Sequence, residues 1–131
     1  MTEYTENNYA KYPRITNDEY RLRLSSWQVP AIKKHFSSIQ DGNFIDIGAG
    51  DIILGEHQAE IGRPKNFFVQ DISERALNAG LEKLKSKGVD TSNIKTLASE
   101  GFDFSTIKDG TIDYAFSNSL FSHLTLNSIL L

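Results

Sequence analysis

Phe44-Ile45-Asp46-Ile47-Gly48-Ala49-Gly50-Asp51 is the stretch whose reading decides the fold. A short apolar run with one acid inside it meets two glycines separated by one residue, and a weakly helical segment from about Ile52 to Ile61 comes next, with Gly62 as its cap. The order is strand, tight turn, helix. Glycine in such a turn lets the backbone bend sharply and lets a ligand approach with no side chain between. Asp46 sharpens the reading, because an unpaired acid on a buried strand costs several kcal/mol. It is tolerated if it accepts amide hydrogens from the glycine loop or faces a cationic ligand. The plainer alternative is an internally capped carboxylate that only shapes the loop.

Outward from this turn, strands and helices alternate. Phe67-Phe68-Val69 reads as a second buried strand that ends at Asp71. Ser73 then caps a helix whose Leu77, Leu81 and Leu84 repeat at helical spacing, with Lys83, Lys85 and Lys87 near its negative end and Gly88 closing it. Ile94 to Leu97 is a third strand, and Ile112 to Phe116 a fourth after the turn Lys108-Asp109-Gly110-Thr111. Upstream, Thr16-Asn17-Asp18-Glu19 has capping-box spacing, and Tyr20, Leu24 and Trp27 form one helical stripe. Pro30 is expected to open a second helix that buries Ile32, Phe36 and Ile39 and ends at Asp41-Gly42. Residues 1–15 show no period and read as an arm or loose tail. Strands joined through helices imply right-handed crossovers and a parallel sheet covered by helices.

Two acids and a missing glycine set the ligand class. A dinucleotide fingerprint would need glycine at position 53, where this chain has Ile53, and Asp51 suits two phosphates poorly. Both point to a nucleoside-like ligand without phosphate and with positive character. Asp71 stands at the end of the second strand, where an α/β nucleotide fold presents an acid to the ribose hydroxyls. A plain acid at a helix N-terminus is the competing reading.

These residues resemble the class I S-adenosylmethionine-dependent methyltransferases, particularly the small-molecule branch. Phe44 to Asp51 is similar to the first motif, Val69-Gln70-Asp71-Ile72-Ser73-Glu74-Arg75-Ala76-Leu77 to the second, and Ser99-Glu100-Gly101-Phe102 stands in the place of the third. Asp109 to Phe116 is similar to the approach through the fourth strand, and Ser119-Leu120-Phe121-Ser122-His123-Leu124 to the segment just after that strand. The resemblance implies an α/β, Rossmann-like three-layer sandwich with a mostly parallel sheet, and S-adenosyl-L-methionine as cofactor. It also assigns roles. Asp46 would organise the loop at the methionine end, above Gly48, Ala49 and Gly50, and Asp71 would accept the ribose hydroxyls. Ile72 would pack on the adenine, Glu100 would accept its amine, and the amide of Gly101 or Phe102 would meet the ring. Asn118 would touch the methionine moiety, and His123 is the candidate base for an oxygen acceptor. The third glycine common in the first motif is replaced by Ile52.

Residues 1–42 are thus expected as an N-terminal arm with cover helices, and 43–131 as a partial domain, incomplete after its fourth strand. The apolar ending at Ile129-Leu130-Leu131 leads to the expectation of a truncated sheet, or of a homo-oligomer, such as a dimer, that hides Leu124, Leu126, Leu130 and Leu131. Composition narrows the partners. The net charge of -3, without a basic run, argues against nucleic acid, and no stretch is apolar and long enough for a bilayer. With no cysteine, thiolate chemistry is excluded and no metal site is expected. The polar start argues against a signal peptide, so a cytoplasmic protein with a small-molecule methyl acceptor, a sugar or other hydroxylated metabolite, is expected. The alternatives are a non-catalytic methyltransferase-like domain and, further off, an NAD-dependent oxidoreductase.

Overall fold

The computed structural model describes residues 11, 13, 15–100 and 103–118 of the 131-residue chain. Among these residues four strands form one parallel sheet: β1 (Asn43–Ile47), β2 (Asn66–Asp71), β3 (Ile94–Ala98) and β4 (Tyr114–Ser117), in the order β3-β2-β1-β4. Helix α1 (Asp18–His35) precedes the sheet, α2 (Gln58–Ile61) lies between β1 and β2, and α3 (Glu74–Ser86) between β2 and β3. After β3 the chain crosses to the far edge and pairs with β1, so the winding direction reverses beside β1. In a sheet of this kind the crevice at that reversal, outside the carboxyl ends of the strands, is where ligands bind. This is the α/β, Rossmann-like arrangement expected from the sequence.

The core is built on the sheet face that carries Phe44, Phe67 and Val69, and Ile45 on the opposite face lies outside it. Leu77 and Leu84 of α3, Val29 and Ile32 of α1, and Ile61 of α2 all close on that same face. Phe36 stands edge-on to Phe44 at 5.9 Å and beside Tyr114 at 5.2 Å, while the Tyr114 hydroxyl donates to the Ser37 carbonyl. β4 begins two residues later than the expected Ile112. Asp113 is used to tie off the sheet's lower end, its amide donating to the Asn43 carbonyl (2.9 Å) and its carboxylate accepting from the Asn43 amide (2.8 Å).

The N-terminal helix differs from its sequence reading in phase, in cap and in length. Its buried residues are Arg21, Ser25, Gln28, Val29 and Ile32, while Trp27 is 48% exposed. The expected stripe of Tyr20, Leu24 and Trp27 has the right period but is turned by one residue, about 100° of helix. Arg21 is the cause, since it enters the interior to meet buried carboxylates. The cap is Asn17, which accepts from the Tyr20 amide, because the amide and hydroxyl of Thr16 both donate to Asp51 instead. Pro30 lies inside one continuous helix. Both Pro30 and Ser26, the residue whose carbonyl loses its helical donor, are exposed, so solvent can replace the missing amide. Ile39 is buried as expected, but in a separate 3-10 turn, Ile39–Asp41.

Other caps agree with the sequence. The Ser73 hydroxyl accepts from the Ala76 amide, and Gly62 ends α2 at φ 103°. Gly80 is where α3 meets the glycine turn: a Cβ there would stand 2.5 Å from the backbone of Asp51. Gly80→Ala is expected to lower stability by about 2–3 kcal/mol through overpacking, although alanine is the better helix former. Gly88→Ala, in open space at φ 73°, should cost only about 1 kcal/mol. Urea unfolding midpoints check the order, and a stabilised Gly80→Ala protein would contradict the packing described.

Candidate functional site

The turn after β1 rises from Ile47 through Gly48 (φ 75°), Ala49 and Gly50 (φ 56°), left-handed backbone at both glycines. Its amides go to the end of β2. The Gly50 amide donates to one oxygen of Asp71 at 2.9 Å, and the Ser73 amide donates to the other at 2.9 Å. The Ala49 amide donates to the Gln70 carbonyl at 2.8 Å, and the Gly48 amide to the Gln70 side-chain oxygen at 3.1 Å. The other end of that side chain donates to the Ser99 carbonyl at 3.1 Å, just past β3. One side chain thus ties the ends of three strands together. Its position inside an apolar strand next to Asp71 is the same kind of signal that marks Asp46.

Asp46 is buried on β1, between Val69 of β2 and Phe116 of β4. The loop amides, one of the two alternatives the sequence leaves open for it, are taken by Gln70 and Asp71. Burial first, and the neighbouring charge of Asp71 second, push its carboxyl up to about 8 from an ordinary value near 3.8. The Asp71 carboxyl is raised as well, chiefly by burial, and the Ser73 and Gly50 amides pull it back. Asp51 does not face the ligand side of the loop. It is buried against Arg21 at 3.0 Å and clamped by Thr16, so its charge is already answered within the protein.

The strand register brings the remaining predicted residues to the same edge. Ile47 is level with Gln70 and Ser117, and Asp71 with Ala98, so Ser99, Asp71, Gly48 and Asn118 succeed one another along the carboxyl end of the sheet. Ile72 is half-buried beside Asp71, Glu100 is exposed just past β3, and Asn118 is half-buried past β4. Gly101, Phe102 and His123 lie outside the described residues, as do Leu124 to Leu131. His57 pairs with Glu60 at 2.8 Å and His35 is exposed at the end of α1. No described helix is long and apolar enough to cross a membrane.

The raised Asp46 has a measurable consequence. A carboxyl that takes up its proton on folding contributes fully below the ordinary carboxylate range, and that contribution is lost as pH rises toward 8. Asp46→Asn removes the titration. Its melting temperature should gain on that of the unmodified protein by several degrees between about pH 5 and pH 8.5. A difference that does not change with pH would contradict the assignment.

No protein-family model matches the sequence, and no curated protein matches it. Solved structures do. The PH0226 protein of Pyrococcus horikoshii OT3 superposes with a TM-score of 0.67 at 22% identity, over 98% of this chain and 57% of that one. Phosphoethanolamine N-methyltransferase 1 of Haemonchus contortus, bound to phosphoethanolamine and S-adenosylhomocysteine, gives 0.65 at 16% identity, over 98% and 27%. An rRNA methylase of Streptococcus thermophilus gives 0.54 at 16% identity, over 80% and 52%. The chain therefore spans 27% to 57% of the length of these proteins. Two of them are named as methyltransferases, of very different acceptors. The chain has the fold of the class I S-adenosylmethionine-dependent methyltransferases.

Proposed function

We propose that this chain binds S-adenosyl-L-methionine and forms the cofactor-binding part of an enzyme that methylates a small molecule, a sugar or other hydroxylated metabolite. The observation that carries the reading is the Asp71 carboxylate. It stands at the carboxyl end of β2, next to β1, and is fixed there by a backbone amide on each oxygen. Each oxygen keeps acceptor capacity for a ribose hydroxyl, since an ionised carboxylate offers about four lone-pair sites. Ile72 beside it offers an apolar surface to the adenine, and Glu100 past β3 an acceptor for its amine. The Gly101 or Phe102 amide takes the ring nitrogen, by sequence position alone.

At the other end, Gly48, Ala49 and Gly50 form a backbone floor for the methionine moiety, with Asp46 below and Asn118 beside it. A buried acid held near 8 is the environment that a cation improves, because a positive group alongside lowers the carboxyl again. The cofactor supplies a methyl group already activated on a sulfonium. What the residues must do is align the acceptor and exclude water. For an oxygen acceptor, His123 is the proposed base. The small-molecule class is favoured over RNA because the chain is acidic overall and has no basic run to hold phosphates. Phosphoethanolamine, bound in one structural neighbour, belongs to that class.

Calorimetric titration with adenosyl-homocysteine tests the binding half of this reading. Micromolar affinity is expected, with none for NAD, and Asp71→Asn should weaken it about tenfold to a hundredfold. No binding by the unmodified chain would favour a non-catalytic methyltransferase-like domain.

A further inference from the structure

The glycine turn ends on a residue that should not be comfortable there. Ile52 has φ 58° and ψ 55°, the left-handed region, where a side chain costs about 1–2 kcal/mol and a β-branched one is a true outlier. Its side chain is fully buried, with Gly55 and Gly80 leaving the room it fills. Its carbonyl and that of Asp51 both point at one guanidinium. Arg21 donates to the Ile52 carbonyl at 3.2 Å and to the Asp51 carbonyl at 2.9 Å, and forms an ion pair with the Asp51 carboxylate at 3.0 Å. It also holds Glu56 at 2.5 Å and the Thr16 hydroxyl at 3.2 Å, and is itself 1% exposed. A guanidinium is a rigid planar fork of five donors, so it fixes several loop atoms relative to one another, which a lysine ammonium cannot do.

We propose that Arg21 is a positioning residue for the cofactor loop: by gripping two successive carbonyls it holds Ile52 in a conformation that glycine would adopt unaided, and so keeps the Gly48–Gly50 turn in place. It is buried beneath the loop. The loop is thereby tied to α1 and to Thr16, whose carbonyl accepts from Lys83 of α3 at 2.8 Å. The importance of this grip for cofactor affinity rests on the proposed function, but the grip itself does not.

The test is a cycle of Arg21→Lys, Ile52→Gly and the double variant, read first by hydrogen exchange of the Ala49, Gly50, Ile52 and Gly55 amides without ligand. Arg21→Lys keeps the charge and loses the fork, so these amides should exchange about tenfold faster while Phe67 and Val69 in β2 do not change. With glycine at position 52 the same substitution should have much less effect, a coupling that a merely structural arginine would not produce. Equal effects in both backgrounds, or uniform loosening of loop and sheet, would overturn the proposal. If Arg21→Lys does not fold, the charge-neutral pair Arg21→Gln with Asp51→Asn replaces it in the same cycle. Adenosyl-homocysteine affinity is measured alongside. Coupled exchange without binding leaves the grip standing and removes the nucleoside reading, whereas binding with uncoupled exchange does the reverse.

Discussion

One carboxylate joins the two halves of the site. Asp71 receives the Gly50 amide on one oxygen and the Ser73 amide on the other, so the turn after β1 and the turn into α3 are built around the same group. Either turn alone would leave an orphan amide at the end of a buried strand, and such groups are costly unless paired. Gln70, one residue earlier, repeats the arrangement on the next row by linking Gly48 to Ser99. Consecutive side chains of β2 point to opposite faces, so the two polar ends brace the sheet's edge from both sides.

The charge pattern around this edge is ordered by depth. The carboxylate within the loop, Asp51, is neutralised by Arg21 from α1, and the outer one, Glu56, is shared between Arg21 and Lys87. Asp46 and Asp71 are both raised, chiefly by burial. Near one loop, then, one buried acid is paired with a guanidinium and two others are raised by burial.

Much of the frame is legible in the residues. The apolar runs at 44–47 and 67–69, the Ser73 cap and the leucine spacing of α3 depend on local pattern, and each stands in its expected place. The site residues on strand ends come with them, because once the strands are placed a parallel register decides which termini are neighbours. What periodicity cannot see is Arg21. A helix that turns a charged residue inward reverses the usual rule that the apolar stripe marks the core, and the reason lies thirty residues further on, in Asp51. Thr16 misleads for the same reason: its hydroxyl is a good helix cap until a buried carboxylate competes for it. Pro30 reads as a helix start because its neighbours give no hint that the surrounding helix tolerates it on an exposed face. The roles of Glu100, Asn118 and the other edge residues come from resemblance, and the fold adds only that they stand along one edge.

The acceptor is a separate question, since this fold carries enzymes as different as an rRNA methylase and a phosphoethanolamine methyltransferase. We propose, more narrowly, that a phosphate-free nucleoside rests on the carboxyl edge of β1 and β2. A crystal structure of the chain with adenosyl-homocysteine tests it most directly. It should show both ribose hydroxyls on the Asp71 carboxylate and the amino-acid end above Gly48–Gly50. A ligand bound elsewhere, or an Asp71 that keeps its two amides and makes no contact with the sugar, would contradict it.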